Sequence, residues 1–497
     1  MKKIISIIAA LALTASAFSC SEKKKEKPEK QPVTVEDGGS EPALDEPVKQ
    51  DYMEFTEDSF KTVEVNLNIT DRKPPITSYM LNMSELDFGE CIPVCKTEDY
   101  RDKYKPDLSA ETDEDYRRQI EEKWKSTCTE PTKGQIYETC LYGNNFYLCI
   151  NYDTWCYGQH EESIFRVNGL TKEKEELFHY SDPENSLRIR QLYAINGVLY
   201  VYTEEKGLCW LDEEKSELVT ILEPNNDIDS YGYIVSNSAD RLIVSDVISD
   251  KKEVPDDYEP KSGEYISTYN DGKNYLILGH TTTMKEFDFD SKTWKELYSV
   301  YESTDESRSG TEKCPAIYGE LFAWKEKPEG TRKYDVCTDY YRVSTGLTGC
   351  DILHADKKRL VVRLGSSEMN SLKAIVHVFD LEKSMHYIID FGGIGANNCK
   401  YAYDGLITYS TGTGGCMYYI MPELGLTFPL AEFESDEFDS RLSDMMSFSD
   451  LYDNSVCFTI SKRKGEHEVT HSDGNVTGTY YDYDDIRMWF TKEEGDE

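Results

Sequence analysis

The chain is 497 residues long and 38% hydrophobic, enough apolar material for one large all-β domain or two ordinary ones, which excludes a wholly disordered protein. Its 55 basic and 94 acidic residues leave a net charge of −39, a field that repels phosphate backbones and acidic lipid surfaces and argues against nucleic acid as a partner. Solubility outside the cell is the plain reading of that excess.

Residues 1–19 read as an export signal. Lys2 and Lys3 begin it, and the uncharged run from Ile4 to Ala17 is shorter than the roughly 20 apolar residues a spanning helix needs. Ala15-Ser16-Ala17 fits an ordinary secretory peptidase, whereas Ala17-Phe18-Ser19-Cys20 resembles the lipobox of bacterial lipoproteins, with Ala17 where Leu is commoner. That resemblance implies a diacylglycerol on the Cys20 thiol and a chain held through it on the outer side of a membrane; free secretion is the alternative. Residues 20–50, rich in Lys, Glu and Pro and then in acids, read as a flexible tether. No other segment is long and apolar enough to span a membrane.

Residues 51–134 are expected to hold a strand, an irregular stretch and a short helix. Val63, Val65, Leu67 and Ile69 alternate, which predicts one strand over 56–69, placed to close a ring by pairing with the last repeat. After Pro74-Pro75, Thr112 as N-cap with Tyr116, Ile120 and Trp124 four apart predicts a helix with one packing face. Cys91, Cys95, Cys128 and Cys140 are assigned to the loop-rich stretch before the repeats, where disulfides are expected in an oxidising compartment. Zinc is the rival, but a CxxxC pair followed by widely spaced cysteines is not a recognised ribbon. Of the 14 cysteines an odd number remains once Cys20 carries lipid, so at least one is left without a partner in the chain. Cys149, Cys209, Cys416 and Cys457 sit among alternating apolar residues and read as small core side chains.

Residues 135–497 are expected to form a β-propeller of about seven four-stranded blades, with six or eight open. Strongly apolar strand cores start at Phe146, Val198, Leu242, Leu321, Leu360, Leu406 and Val456, each followed by a hairpin, and recur at roughly the 40–50 residues of a blade. The interval from Leu242 to Leu321 is longer. It holds Lys251 to Asp257, read as a polar loop, and Tyr275-Leu276-Ile277-Leu278, which would equally start an eighth blade. Hairpins are expected at Ile164–Phe178, Leu208–Leu222, Met284–Val300, Tyr334–Val343, Ile375–Phe391, Cys416–Phe433 and Tyr480–Phe490. The segment Phe287-Asp288-Phe289-Asp290-Ser291-Lys292-Thr293-Trp294 resembles the outer hairpins of kelch-type propellers, where a turn reverses between an acid and an aromatic residue. The double glycine of kelch repeats and the Trp-Asp ending of WD40 repeats are absent, so the resemblance implies architecture and no activity.

The sharpest chemical motif, His467-Glu468-Val469-Thr470-His471-Ser472-Asp473-Gly474, resembles the HExxHxxG zinc signature of metzincin proteases. Its context argues otherwise: β-branched Val469 and Thr470 interrupt it, a third ligand would fall on Thr477, and on a strand the two histidines stand about 13 Å apart. A solvated hairpin tip is expected, with no metal and no cofactor. Asp482-Tyr483-Asp484-Asp485 and Asn226-Asp227-Ile228-Asp229 invite structural calcium, but neither has EF-hand spacing and both read as solvated turns. Gly392-Gly393-Ile394-Gly395 and Gly412-Thr413-Gly414-Gly415 precede no helix and read as turns. The 36 tyrosines are assigned to blade packing before sugar stacking.

The leading expectation is a lipid-anchored, extracytoplasmic binding or scaffold protein whose ligand, an envelope protein or glycan, lies where the inter-blade loops meet. The alternative is a polysaccharide hydrolase or lyase, which requires two or more acids converging beside tyrosines at one end of the ring. An envelope assembly component would require an exposed apolar patch.

Overall fold

The computed structural model describes residues 53–91, 108–109, 114–129, 131–152, 161–182, 185–224, 233–234, 241–255, 258–260, 264–268, 272–303, 316–364, 375–393, 396–410, 415–433, 446–452, 455–470 and 476–492. Seven small, mainly antiparallel sheets stand in a ring as a seven-bladed β-propeller. Blade 1 is Gln135–Tyr142, Asn145–Asn151, Glu161–Asn168 and Lys174–Ser181; blade 2 is Ile189–Ile195, Val198–Thr203, Gly207–Asp212 and Glu217–Leu222. Blade 3 is Tyr233–Ile234, Ile243–Val254, Asn274–Asp288 and Thr293–Ser303; blade 4 is Ala316–Tyr318, Leu321–Glu326, Asp335–Thr338 and Tyr341–Ser344. Blade 5 is Cys350–Ala355, Arg359–Leu364, Ile375–Asp380 and Met385–Asp390, and blade 6 is Ala396–Ala402, Gly405–Ser410, Gly415–Met421 and Leu426–Phe433. Blade 7 takes three strands, Met446–Tyr452, Ser455–Thr470 and Val476–Lys492, from the end of the chain.

The early segment supplies the rest. Four strands, β1 (Met53–Phe55), β2 (Lys61–Val65), β3 (Asn68–Ile69) and β4 (Ile76–Asn82), run along the outside of successive blades. The first three pair in parallel with the fourth strands of blades 4, 5 and 6, and β4 pairs antiparallel with Val476–Lys492 as the missing fourth strand of blade 7. The alternating run expected as one strand over 56–69 is therefore two strands, broken at Asn66-Leu67, because its halves serve different blades. The ring is closed by β4, not by that run. The helix α1 spans Glu114–Thr129, after β4 and before blade 1.

Each described hydrophobic cluster is one interface between neighbouring blades. This explains the apolar runs of the second strands. Side chains alternate across a strand, so Leu199 and Val201 enter the interface of blades 1 and 2 while Tyr200 between them enters that of blades 2 and 3. Leu360 and Val362 face blade 4 and Val361 faces blade 6 in the same way. Both faces are buried, so polar alternation is lost.

Blade 3 accounts for the long interval. Lys251 to Val254 is strand, paired with Asn274 to Ile277, so these residues extend one hairpin and no eighth blade exists. Likewise Tyr480 to Phe490 is a single strand, and its hairpin partner is Ser455–Thr470. Outer turns share a capping acid or amide and a residue of positive φ four positions on, as in Asp288 with Lys292 and Asn168 with Lys172. The Asp288 carboxylate accepts from the Asp290 and Ser291 backbone, which is the physical basis of the acid-to-aromatic turn read in the sequence.

The seam between blades 7 and 1 is held by Trp489. Its indole donates to Asn144 Oδ1 at 3.0 Å, stacks on Tyr79 of β4 and meets Phe146 of blade 1 edge-on. Gly169 is fixed by this contact, since a Cβ there would lie 2.6 Å from the ring. We expect Trp489→Ala to destabilise the ring by about 3–5 kcal/mol and Trp489→Phe by about 1–2 kcal/mol. Urea denaturation followed by tryptophan fluorescence and circular dichroism measures both.

Candidate functional site

Within a blade each strand reverses the last, so second-to-third turns and blade-to-blade connections share one face of the ring, here called upper. The first strands of neighbouring blades approach one another and line the centre. Three of them carry a β-bulge at one height, five residues before the pair that closes the next turn. The inserted residues are Asn397 in blade 6, Tyr137 in blade 1 and Arg190 in blade 2. Lower bulges insert Leu353 in blade 5 and Ser449 in blade 7. A bulge adds one residue to a strand and re-aims its side chain. Tyr137 is accordingly 43% exposed in a strand that goes on to bury Cys140 and Leu141.

Tyr137 and Arg190 meet across the blade boundary, Arg190 Nη1 donating to the phenol oxygen at 2.8 Å. Arg190 Nε donates to Glu204 Oε1 at 2.7 Å, Nη2 also donates to Glu204, and Arg188 Nη1 reaches Glu204 Oε2 at 2.8 Å. Arg188 Nε also donates to Ser186 and lies 3.8 Å from Glu205. Glu204 and Glu205 sit in the upper turn of blade 2, between Val198–Thr203 and Gly207–Asp212. The two acids part company. Burial opposes ionisation of Glu204, but hydrogen bonds from Arg188 and Arg190 hold it below the usual carboxylate range. Burial raises Glu205 to about 7, against the opposing pull of Arg188. Such a split marks a functional-site candidate.

None of Tyr137, Arg188, Arg190, Glu204 and Glu205 was singled out from sequence. The available signal was Arg188-Ile189-Arg190, two cations just ahead of the apolar run Leu192 to Ile195.

The expected site residues are dispersed. Cys20, Cys95, His471 and Asn226–Asp229 lie outside the described residues. Cys140 is in the first strand of blade 1, fully buried beside Tyr147 and Cys149, and so belongs to an inter-blade core, not to a loop before the repeats. Cys91 pairs by backbone with Thr132, and Cys128 is in α1. Cys149, Cys209 and Cys457 are buried and Cys416 is half-buried. His467 and Glu468 lie on a strand opposite Tyr480 and Thr479, not on the helix that a zinc protease motif needs. Asp482, Asp484 and Asp485 also lie on a strand, with Asp484 bonded to Lys464 and Asp485 to Arg487, so they are not a turn. Gly392 and Gly393 end a short 3-10 turn. Among the described residues no group of three His, Cys, Asp or Glu is placed to hold a metal.

Three other clusters are polar without being sites of chemistry. Ser163 Oγ, His179 and Glu161 align at 2.8 and 3.1 Å, but Ser163 is 0% exposed and its hydroxyl donates to Glu176, so the imidazole cannot activate it. His354 bonds Asp356 at 2.8 Å beneath the Tyr401 ring and against Gly319, plugging the lower side of blades 4 to 6. His377 and His386 share a 2.9 Å hydrogen bond, and His386 stacks on Phe379 and contacts Thr62 of β2. Burial lowers both to about 4, with mutual repulsion adding to it at His377. On the upper side, the long strands of blade 3 expose Ile248, Leu278 and Tyr301, the last donating to Asp250.

No family model and no curated protein matches the chain. Solved structures similar to it include acylaminoacyl peptidase from Pyrococcus horikoshii, at 11% identity and a TM-score of 0.41 over 66% of this chain and 49% of that one. Polysaccharide lyase Uly1 gives 10% identity and a TM-score of 0.31 over 71% and 89%, and Kluyveromyces lactis Hsv2 gives 8% and 0.31 over 71% and 98%. The chain spans about half the length of the peptidases it matches.

Two titrations follow. The Glu205 carboxyl should titrate near 7 by carbon-detected NMR, and Arg188→Gln should move it higher by removing a cation that favours the charged form. Folded His377 and His386 titrate below the ordinary value of about 6.5, so at these two sites the unfolded chain takes up more protons as pH falls from there towards 4 and stability drops. His386→Gln should flatten that acid-side loss in thermal melts relative to wild type, whereas Glu205→Gln should not.

Proposed function

We propose that this protein is a lipid-anchored, extracytoplasmic binding protein, displayed through Cys20 on a tether, whose propeller takes its ligand at the upper mouth between blades 1 and 2. The observation that supports this is the rim of Tyr137, Arg188 and Arg190, organised before any ligand arrives by a shared carboxylate, Glu204. Preorganised, partly exposed donors beside an aromatic ring suit recognition, because little side-chain entropy is lost on binding.

A second reading, hydrolysis or eliminative cleavage of a polysaccharide, draws support from Glu205, a carboxyl poised to exchange protons near neutral pH beside a second acid, Glu204, and near Tyr180. Against it, Glu204 is tied to two guanidiniums and is a poor base or nucleophile.

Mass spectrometry of the mature N-terminal peptide is the test of anchoring. Diacylglycerol on Cys20 in the membrane fraction, absent from Cys20→Ala, is expected; an unmodified terminus at Phe18 in the medium would overturn it. Incubation with envelope polysaccharides, followed by reducing-end and unsaturated-sugar assays, is expected to give no turnover. Turnover abolished by Glu205→Gln would establish the second reading instead.

A further inference from the structure

The upper rim allows a ligand class to be named, and this inference rests on the binding reading above. We propose that the rim formed by Tyr137, Arg190 and Arg188 is a single binding site for a carboxylate-bearing sugar of the uronic acid type.

Placement comes first. Blades 6, 7, 1 and 2 are consecutive around the ring, and three of them insert one extra inner-strand residue at the same height. Bulges concentrate where a side chain must be re-aimed. Two of the inserted residues, a phenol ring and a guanidinium, meet directly across the boundary of blades 1 and 2.

Charge comes second. The whole chain is strongly acidic, yet this rim joins two arginines to one ionised acid, Glu204. Arg188 spends Nε on Ser186 and Nη1 on Glu204, and its side chain remains 36% exposed. A guanidinium edge fits the two oxygens of a carboxylate. The neighbouring Tyr137 ring offers the flat apolar surface on which a pyranose rests.

Glu205 then couples binding to protons. It is faced by Arg188 and Arg190 from the inner strand, by Glu204 and Lys206 in its own turn, and by Tyr180 of blade 1 with Asp182 and Glu162 beyond. As an ionised acid it would repel an arriving carboxylate; protonated, it donates a hydrogen bond to it. Binding therefore takes up a proton, and affinity rises as pH falls through 7.

The test is calorimetry on the full chain carrying Cys20→Ala, with a galacturonate trisaccharide as probe, its methyl ester and a neutral galactose trisaccharide as controls, and a glutamate-rich peptide as rival. Expected are at least tenfold weaker binding of the ester and the neutral sugar and at least tenfold loss in Arg188→Gln and Tyr137→Ala. Proton uptake between pH 6 and 8 is expected to disappear in Glu205→Gln. Equal binding of ester and acid, no binding of the uronate, or preference for the peptide would each overturn the proposal. Neutral-sugar or peptide binding that Tyr137→Ala abolishes would leave the upper mouth a binding site while refuting its uronate chemistry. Loss of every ligand at this mouth would remove both.

Discussion

Ring closure by β4 is the constraint on which the rest of this structure depends. No blade has a core of its own; each buries its faces only against its neighbours, so seven interfaces share one condition, that the ring be complete. Closure pairs Ile76–Asn82 with Ile486–Lys492, two segments from opposite ends of the fold. Such pairing costs loop-closure entropy before any contact repays it. The seam is accordingly where the largest buried side chain, Trp489, is found, bonded to Asn144 and wedged between Tyr79 and Phe146. Three further outer strands, β1 to β3, bind the blades that lie before the seam. They cover the outer edges of blades 4, 5 and 6, which would otherwise present unpaired backbone.

Polar bridges on the lower side secure the same interfaces. Arg166 of blade 1 reaches Glu213 of blade 2, Trp294 of blade 3 donates to Ile221 of blade 2, and Arg241 joins Glu286 of blade 3 to Asp339 of blade 4. Arg359 of blade 5 bonds Tyr401, Asp404 and Glu423 of blade 6, and Tyr403 donates to Phe490 of blade 7. The interface of blades 3 and 4 has the smallest buried apolar cluster described, and there Arg241 holds two carboxylates and the Glu320 carbonyl at once. In a chain with so many acids, a guanidinium shared between blades also relieves repulsion between them. The lower side is thereby committed to holding the ring.

The blade rhythm was legible because a second strand buried on both faces must be apolar throughout, and runs such as Val198 to Val201 stand out from any turn. What failed did so where one element does two jobs. Val63 to Ile69 keeps a strand's alternation while crossing from blade 5 to blade 6, and the break at Asn66-Leu67 leaves no mark in that pattern. Tyr275 to Leu278 has the composition of a blade core because it lies in a long strand paired on both edges, and Tyr480 to Phe490 looked like two arms because a single strand extends beyond its blade. The rim was invisible for a different reason. A bulge shifts register by one residue, so Tyr137 and Arg190 occupy positions that simple alternation assigns to the wrong face.

The same displacement ties up one of the two carboxylates at this mouth. A catalytic carboxylate pair needs both members free to exchange protons or attack, with room between them for the reacting atoms. Here Glu204 spends both oxygens on Arg188 and Arg190, and those arginines are held in turn by Tyr137 and Ser186. Releasing Glu204 for chemistry would leave two guanidiniums without their shared partner and undo the bridge between the inner strands of blades 1 and 2. The arrangement therefore resists use as a base. Glu205, 3.8 Å from Arg188, is instead raised by burial towards neutral pH.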